Sequence, residues 1–187
     1  MVETREDGSV LYSFEEAVQI TKGLVRPGLA VDELILLLLG LVDKPINGKV
    51  VMQKELFLLY NELKDHLNVV DPHFIKYKYG PFSIGVATLL ELLESAGYIK
   101  ILNKRSKRRA KYYLTAKGRE AAKNVLNRLS SFLGEDVIAR LKELRRGWDQ
   151  LGHDGILRYV YQRFPQYREK AELKDKYIHV DWGVTEA

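Results

Sequence analysis

The chain has 187 residues, with 46% hydrophobic and 29% charged residues. That is enough apolar content to bury a core without metal or disulfide support, and too much for a disordered chain. It contains no cysteine, which removes disulfides, thiolate metal sites and a Cys nucleophile together and fits a reducing compartment. The net charge of +5 is unevenly placed: from Tyr98 to Arg128 eleven Lys and Arg stand against one acid, Glu120, leaving +10 there and −5 over the rest. A concentrated positive patch on a mildly acidic body is the electrostatic footprint of a nucleic-acid binder.

The first ten residues, MVETREDGSV, are charged and polar. They lack the apolar stretch of a secretory signal, so a cytoplasmic protein is expected. Residues 1 to 13 have too little apolar content to fold alone. Ser13 is placed to cap a helix over Phe14–Leu24, with Glu15 and Glu16 in its first turn, and Arg26-Pro27-Gly28 then breaks the chain. Val31 to Lys44 reads as an apolar helix that opens on Asp32 and Glu33 and ends before Pro45. Its apolar run Leu34–Val42 is nine residues long, short of the roughly 20 that cross a bilayer, so it is expected inside the fold or at a dimer contact. After a turn at Ile46–Lys49, the helix Val50–His66 places Val51, Leu56, Leu59, Tyr60 and Leu63 on one side. Gln53, Lys54, Asn61, Glu62, Lys64 and Asp65 are left on the polar side.

Asp71-Pro72 marks a turn, and Phe74 to Tyr79 alternates as an extended stretch that could add a third strand to a later hairpin. Gly80-Pro81 is read as the start of a helix running to Ala96, with Val86, Leu89, Leu90, Leu92, Leu93 and Ala96 inward and Gly97 as its stop. Tyr98–Leu102 and Lys111–Thr115 are strand-like and are joined by the loop Asn103–Ala110. Thr115 caps a helix over Ala116–Leu133, which Gly134 stops. A helix over Asp136–Trp148 and another over Asp154–Phe164 follow, separated at Leu151-Gly152 and closed by Pro165. The expected class is mainly α (α+β), divided into an N-terminal extension (1–30), a central domain (31–133) and a C-terminal helical extension (134–187).

The loop carries Lys104, Arg105, Lys107, Arg108, Arg109 and Lys111 within eight residues. Charges of one sign at this density suit a phosphate backbone or a minor groove, with Arg able to grip phosphate oxygens in a fork. A solvated hairpin tip that discourages edge pairing is the plainer alternative. On the preceding helix the residues expected outside are Ser83, Ile84, Gly85, Ala87, Thr88, Glu91, Glu94 and Ser95, and none is Lys, Arg, Asn or Gln. Such a face reads base edges poorly, although Ser83 and Thr88 could touch the backbone near the helix N-terminus. Tyr77, Tyr79, Tyr98, Tyr112 and Tyr113 interleave with basic residues, among them Lys76 and Lys78, which join the candidate contact set. Tyrosines so placed either stack on unpaired bases or lie half-buried in a sheet.

No catalytic or cofactor pattern stands out. His66, His73, His153 and His179 show no metal-ligand spacing, His153-Asp154 reads equally as a helix cap, and the phosphate-binding glycine motifs are absent. Glu172 and Asp175 lie in an ordinary charged segment with Lys174 and Lys176. No enzyme activity, cofactor or metal is expected.

The order of helices followed by Gly97-Tyr98-Ile99, a basic turn, Tyr113-Leu114-Thr115 and Gly118 resembles the winged helix-turn-helix regulators of the MarR and PadR kind, where "G-Y-I … Y-x-L-T-x-x-G" spans the wing. The longer pattern Gln53-Lys54, Phe57-Leu58-Leu59 and Tyr79-Gly80-Pro81-Phe82-Ser83 is similar to a prokaryotic winged-helix group related to Panacea-type antitoxin domains. Over residues 31 to 133 the resemblance implies a winged helix with a small β-hairpin wing, extra terminal helices that make a homodimer, and DNA binding in transcription regulation. It equally admits a protein-interaction module, antitoxin-like or scaffolding, with a protein partner in place of DNA.

Overall fold

A computed structural model describes residues 3–4, 10–11 and 26–168. The expected helix over 14–24 lies outside the described residues, as do His179, Glu172 and Asp175. The chain is mainly α with small sheets. Within the segment expected to be loose, β1 (Glu3–Thr4) pairs antiparallel with β2 (Val10–Leu11). Strand β3 (Gly28–Leu29) pairs in parallel with β5 (Asn68–Val69).

Helix α1 (Val31–Gly40) buries Leu34 to Leu39 without interruption. An all-round apolar helix needs partners on every side, and α2 (Lys49–Leu63), α3 (Ile84–Ser95), α4 (Ala116–Leu133) and β9 (Lys111–Leu114) supply them. Its start is closed by the Glu33 carboxylate, which accepts from the Ala30 N–H at 3.0 Å and from Arg128 at 2.8 Å. Leu36 and its neighbours belong to one hydrophobic core that runs from Leu29 to Tyr161. None of the helices among the described residues is long and apolar enough to cross a membrane.

Two strand assignments differ from the sequence reading. The hairpin of β8 (Ile99–Leu102) and β9 does gain a third strand, but it is β4 (Ile46–Asn47), expected as a turn, with Ile46 opposite Tyr112. The stretch expected for that role instead forms β6 (Ile75–Tyr77), which pairs with β7 (Gly80–Phe82) in a ribbon of its own. Gly80-Pro81 therefore opens a strand instead of a helix. The turn at Lys78-Tyr79 is made possible by Gly80, whose φ is +85° and whose missing Cβ would lie 2.8 Å from the Tyr161 ring. Helix α3 starts three residues later than expected, at Ile84, where the Ser83 hydroxyl accepts from the Val86 N–H at 3.1 Å.

The second half follows expectation closely. Helix α4 spans the expected residues, and the Thr115 hydroxyl caps it by accepting from the Gly118 N–H at 3.1 Å. The same hydroxyl faces the carbonyls of Gly97 at 2.7 Å and Tyr98 at 3.0 Å. A Cβ on Gly118 would lie 1.9 Å from the Tyr98 carbonyl oxygen. The spaced residues Gly97, Tyr98, Thr115 and Gly118 are thus one lock that fastens the start of α4 to the end of α3. Helix α5 (Glu135–Arg163) is two helical segments broken at Gly152, where φ is 63° and ψ is −167°, as the sequence predicts. A 3-10 turn over Pro165–Tyr167 follows. It is pinned to α2 by edge-on contacts of Phe57 with Phe164 and Tyr167, at 4.7 and 4.9 Å between ring centroids.

The main correction concerns α2. Gln53 and Lys54, expected on a solvent face, are buried together with Glu55, because the β6–β7 ribbon and α5 cover that side. On α3 the inward set is also revised: Leu92 is 57% exposed and Ala96 is exposed, whereas Ser83 is buried.

Candidate functional site

The loop between β8 and β9 is built from short-range hydrogen bonds. Asn103 adopts φ +54°, its carbonyl accepts from Ser106 at 2.9 Å, and its side-chain amide donates to the Arg109 carbonyl at 3.2 Å. The Ser106 hydroxyl accepts from the Arg109 N–H at 3.0 Å. Ala110 is buried. The loop is also tied to the start of α2, since the N–H groups of Gly48 and Lys49 donate to the carbonyls of Ala110 (2.7 Å) and Lys107 (2.8 Å). With its backbone occupied in this way, the loop holds Lys104, Arg105, Lys107, Arg108 and Arg109 outward, all exposed, with Lys111 exposed at the first residue of β9.

These cations are not equivalent. Lys104 pairs with Glu94, which also accepts from the Ile101 N–H at 3.1 Å, so one of the two acids on α3 is turned toward the hairpin and neutralised there. Lys107 lies over the Tyr79 ring, 5.7 Å from its centroid. Farther along, Lys117 donates to the Ala96 carbonyl at 3.0 Å and covers Tyr98 at 4.1 Å, closing the C-terminal end of α3. Arg119 bonds the Leu114 carbonyl and faces Asp43, and Arg128 holds Glu33. Arg105, Arg108, Arg109 and Lys111 have no ion-pair partner among the described residues.

Helix α3 presents Ile84, Thr88 and Leu92, four residues apart and so on one stripe, with Ile84 67% exposed. Thr88 is where the sequence places it. Ser83 is not: its N–H donates to the Gln53 side-chain oxygen at 3.0 Å, its carbonyl accepts from the Gln53 amide at 3.0 Å, and its hydroxyl donates to the Pro72 carbonyl. All its polar groups are committed inside the fold, which removes it from the contact surface. Lys76 on β6 and Lys78 in the following turn are exposed, beside Tyr77, which stacks on Phe82 at 5.1 Å. Tyr112 is buried, and burial pushes its phenol up to about 12. It belongs to the core and is out of reach of a base.

A cavity of about 230 Å3 lies between the first turns of α2, the β6–β7 ribbon and the hairpin loop. Lys49, Lys54, Lys78 and Lys107 line it with Tyr77, Tyr79 and Phe82, and no Asp or Glu among the described residues does. Lys54 donates to the Pro81 carbonyl at 2.7 Å, and burial lowers its amine to about 7. The neighbouring Glu55 is fully buried against Arg145, 3.0 Å from the guanidinium, and Arg145 also meets Asp149 at 2.9 Å. Burial pushes the Glu55 carboxyl up, against the pull of Arg145 and with a smaller push from Asp149. His153 and Asp154 follow the break in α5 and do not line the cavity.

Sequence reasoning placed the loop cations and missed the cavity. The available signal was three adjacent polar residues, Gln53-Lys54-Glu55, set between Val51-Met52 and Leu56-Phe57-Leu58-Leu59, a cluster inconsistent with a one-sided helix. The chain matches no protein-family model, no curated protein and no solved structure.

Proposed function

We propose that this is a cytoplasmic winged-helix protein, a homodimer, that binds duplex DNA through the β8–β9 hairpin as its wing and regulates transcription. The observation that carries the reading is the set Arg105, Arg108, Arg109 and Lys111, exposed and without ion-pair partners among the described residues on a loop whose backbone is hydrogen-bonded to α2. An anchored loop holds its cations in register with a phosphate backbone at a smaller ordering cost than a floppy one. Helix α3 contributes little base reading, because its outward stripe is Ile84, Thr88 and Leu92, and recognition is dominated by the wing. A mobility-shift assay at low salt tests this: duplex DNA is retarded by the protein and released by Arg105, Arg108 and Arg109 to Ala. Absence of a shift, or an unchanged shift with the triple variant, contradicts the reading.

One observation favours a second reading. Ile84 and Leu92 are 67% and 57% exposed on a single stripe of α3, a surface suited to a protein partner of antitoxin or scaffold type. A partner lost with Ile84→Asp and retained by the triple Arg variant would support it.

A further inference from the structure

A larger cavity, of about 470 Å3, opens beside the C-terminal half of α2, and no residue of the hairpin lines it. Its floor is aromatic. The buried Phe57 of α2 meets Phe74 edge-on at 5.2 Å between ring centroids, as it meets Phe164 and Tyr167 at 4.7 and 4.9 Å. Tyr60, further along α2, lies 6.3 Å from Phe74. The volume falls in the range of small-molecule sites. Aromatic pairs prefer edge-on or offset contacts, so a floor of rings already steeply inclined to one another receives a further ring in a favourable geometry.

The rim carries one charge of each sign. Lys64 stands over the Tyr60 ring, its Nζ 6.0 Å from the centroid, and Asp71 lines the same cavity. No ion pair joins them. Lys64 has no ion-pair partner among the described residues, and Asp71 meets only His73, at 3.5 Å, while its Oδ1 accepts from the His73 N–H at 2.8 Å and so is held in place. The phenols of Tyr60 and Tyr167 are both pushed up, by burial first and then by the Asp71 charge, which Lys76 opposes at Tyr167. Asp71 and the two phenol oxygens therefore form one cluster of acceptors. The Tyr167 hydroxyl already donates to the Phe74 carbonyl at 3.4 Å, which leaves its lone pairs toward a guest. A simple cation in this cavity is repelled by Lys64 and a simple anion by Asp71, whereas a molecule bearing both charges meets a partner for each.

We propose that this cavity binds a free α-amino acid with an aromatic side chain, its ring on Phe57, Phe74 and Tyr167, its ammonium toward Asp71 and the phenol oxygens, and its carboxylate toward Lys64. A free amino acid suits the rim better than a peptide, because a peptide carries its two terminal charges on different residues. The inference stands independently of DNA binding, since the hairpin loop is tied to the opposite end of α2, at Gly48 and Lys49.

The test is calorimetric titration of the full chain with L-phenylalanine. Phenethylamine lacks the carboxylate, 3-phenylpropanoate lacks the ammonium, and glycine keeps both charges without the ring. Phenylalanine is expected to saturate one site, about fivefold more tightly than either singly charged analogue, as the loss of one exposed charge pair implies, and about tenfold more tightly than glycine. Asp71→Asn and Lys64→Gln, both at exposed positions, should leave thermal melts unchanged and act selectively. Asp71→Asn should remove the advantage of phenylalanine over 3-phenylpropanoate, and Lys64→Gln its advantage over phenethylamine. The proposal is overturned if phenylalanine does not saturate, if glycine or either analogue binds the native protein as tightly, or if either variant keeps the discrimination it is expected to lose.

Discussion

Gln53 and Ser83, thirty residues apart, exchange two hydrogen bonds of 3.0 Å: the Gln53 amide donates to the Ser83 carbonyl, and the Ser83 N–H donates to the Gln53 oxygen. The side chain of one helix thereby completes the backbone of another at the point where β7 ends and α3 begins. Lys54, the next residue, holds the Pro81 carbonyl in the same way. Gln53→Leu leaves a buried donor and acceptor on Ser83 unsatisfied, at roughly 1–3 kcal/mol each. Denaturant unfolding should show a loss of about 2 kcal/mol or more, whereas Thr88→Ala on the exposed stripe should cost less than about 0.5 kcal/mol.

Arg145 neutralises Glu55 in a region where both are fully buried. Removing Arg145 leaves the buried Glu55 carboxyl, already pushed up by burial, without its partner, so Arg145→Met should destabilise the protein by about 1–3 kcal/mol. Adding Glu55→Leu should restore most of that loss, and equal destabilisation by the single and double variants would show that the pair is not coupled.

The amine of Lys54 is lowered to about 7 in the fold, against about 10.4 in an unfolded chain. Between those values the unfolded chain holds a proton that the folded chain has released, so this group makes folding more favourable as pH rises from 7 toward 10. Around it stand Lys49 from α2, Tyr77, Lys78 and Tyr79 from the ribbon, and Lys107 from the loop, with Tyr161 of α5 packed on Gly80. The stability of the native protein relative to Lys54→Met should therefore climb between pH 7 and 9, with a slope of at most about 1.4 kcal/mol per pH unit. A flat difference across that window would contradict the burial of this amine.

Gly118 sits where a Cβ would lie 1.9 Å from the Tyr98 carbonyl oxygen. Backbone cannot swing away as a side chain can, so Gly118→Ala should cost about 1–3 kcal/mol through overpacking, despite the better helix propensity of Ala. A thermal melt that rises with this substitution would show that α4 is not locked against Tyr98.

The sequence made some of this visible for clear physical reasons. Thr115, Gly134 and Gly152 are local signals, and the structure places a cap, a stop and a break at those residues. The hairpin was equally legible, since alternating strand residues flank an uninterrupted basic turn. What escaped depended on contacts remote in sequence. Ile46-Asn47 looks like a turn until Tyr112 pairs with it, and Gly80-Pro81 looks like a helix start until Lys76 and Tyr77 lie opposite. Gln53 and Lys54 look solvent-facing until Ser83 and Pro81 meet them. Polar residues in a helix signal exposure only when no partner comes from elsewhere in the chain.

The central claim is that the hairpin cations grip phosphate. The most direct measurement is the salt dependence of duplex DNA affinity, followed by fluorescence anisotropy for the native protein and for the Arg105, Arg108 and Arg109 to Ala variant. Each phosphate neutralised contributes about 0.9 to the slope of log K against log salt. The account predicts a steep native slope that becomes shallower by about 2–3 in the variant, scaling with the arginines removed. An unchanged slope, or affinity indifferent to salt, would contradict it.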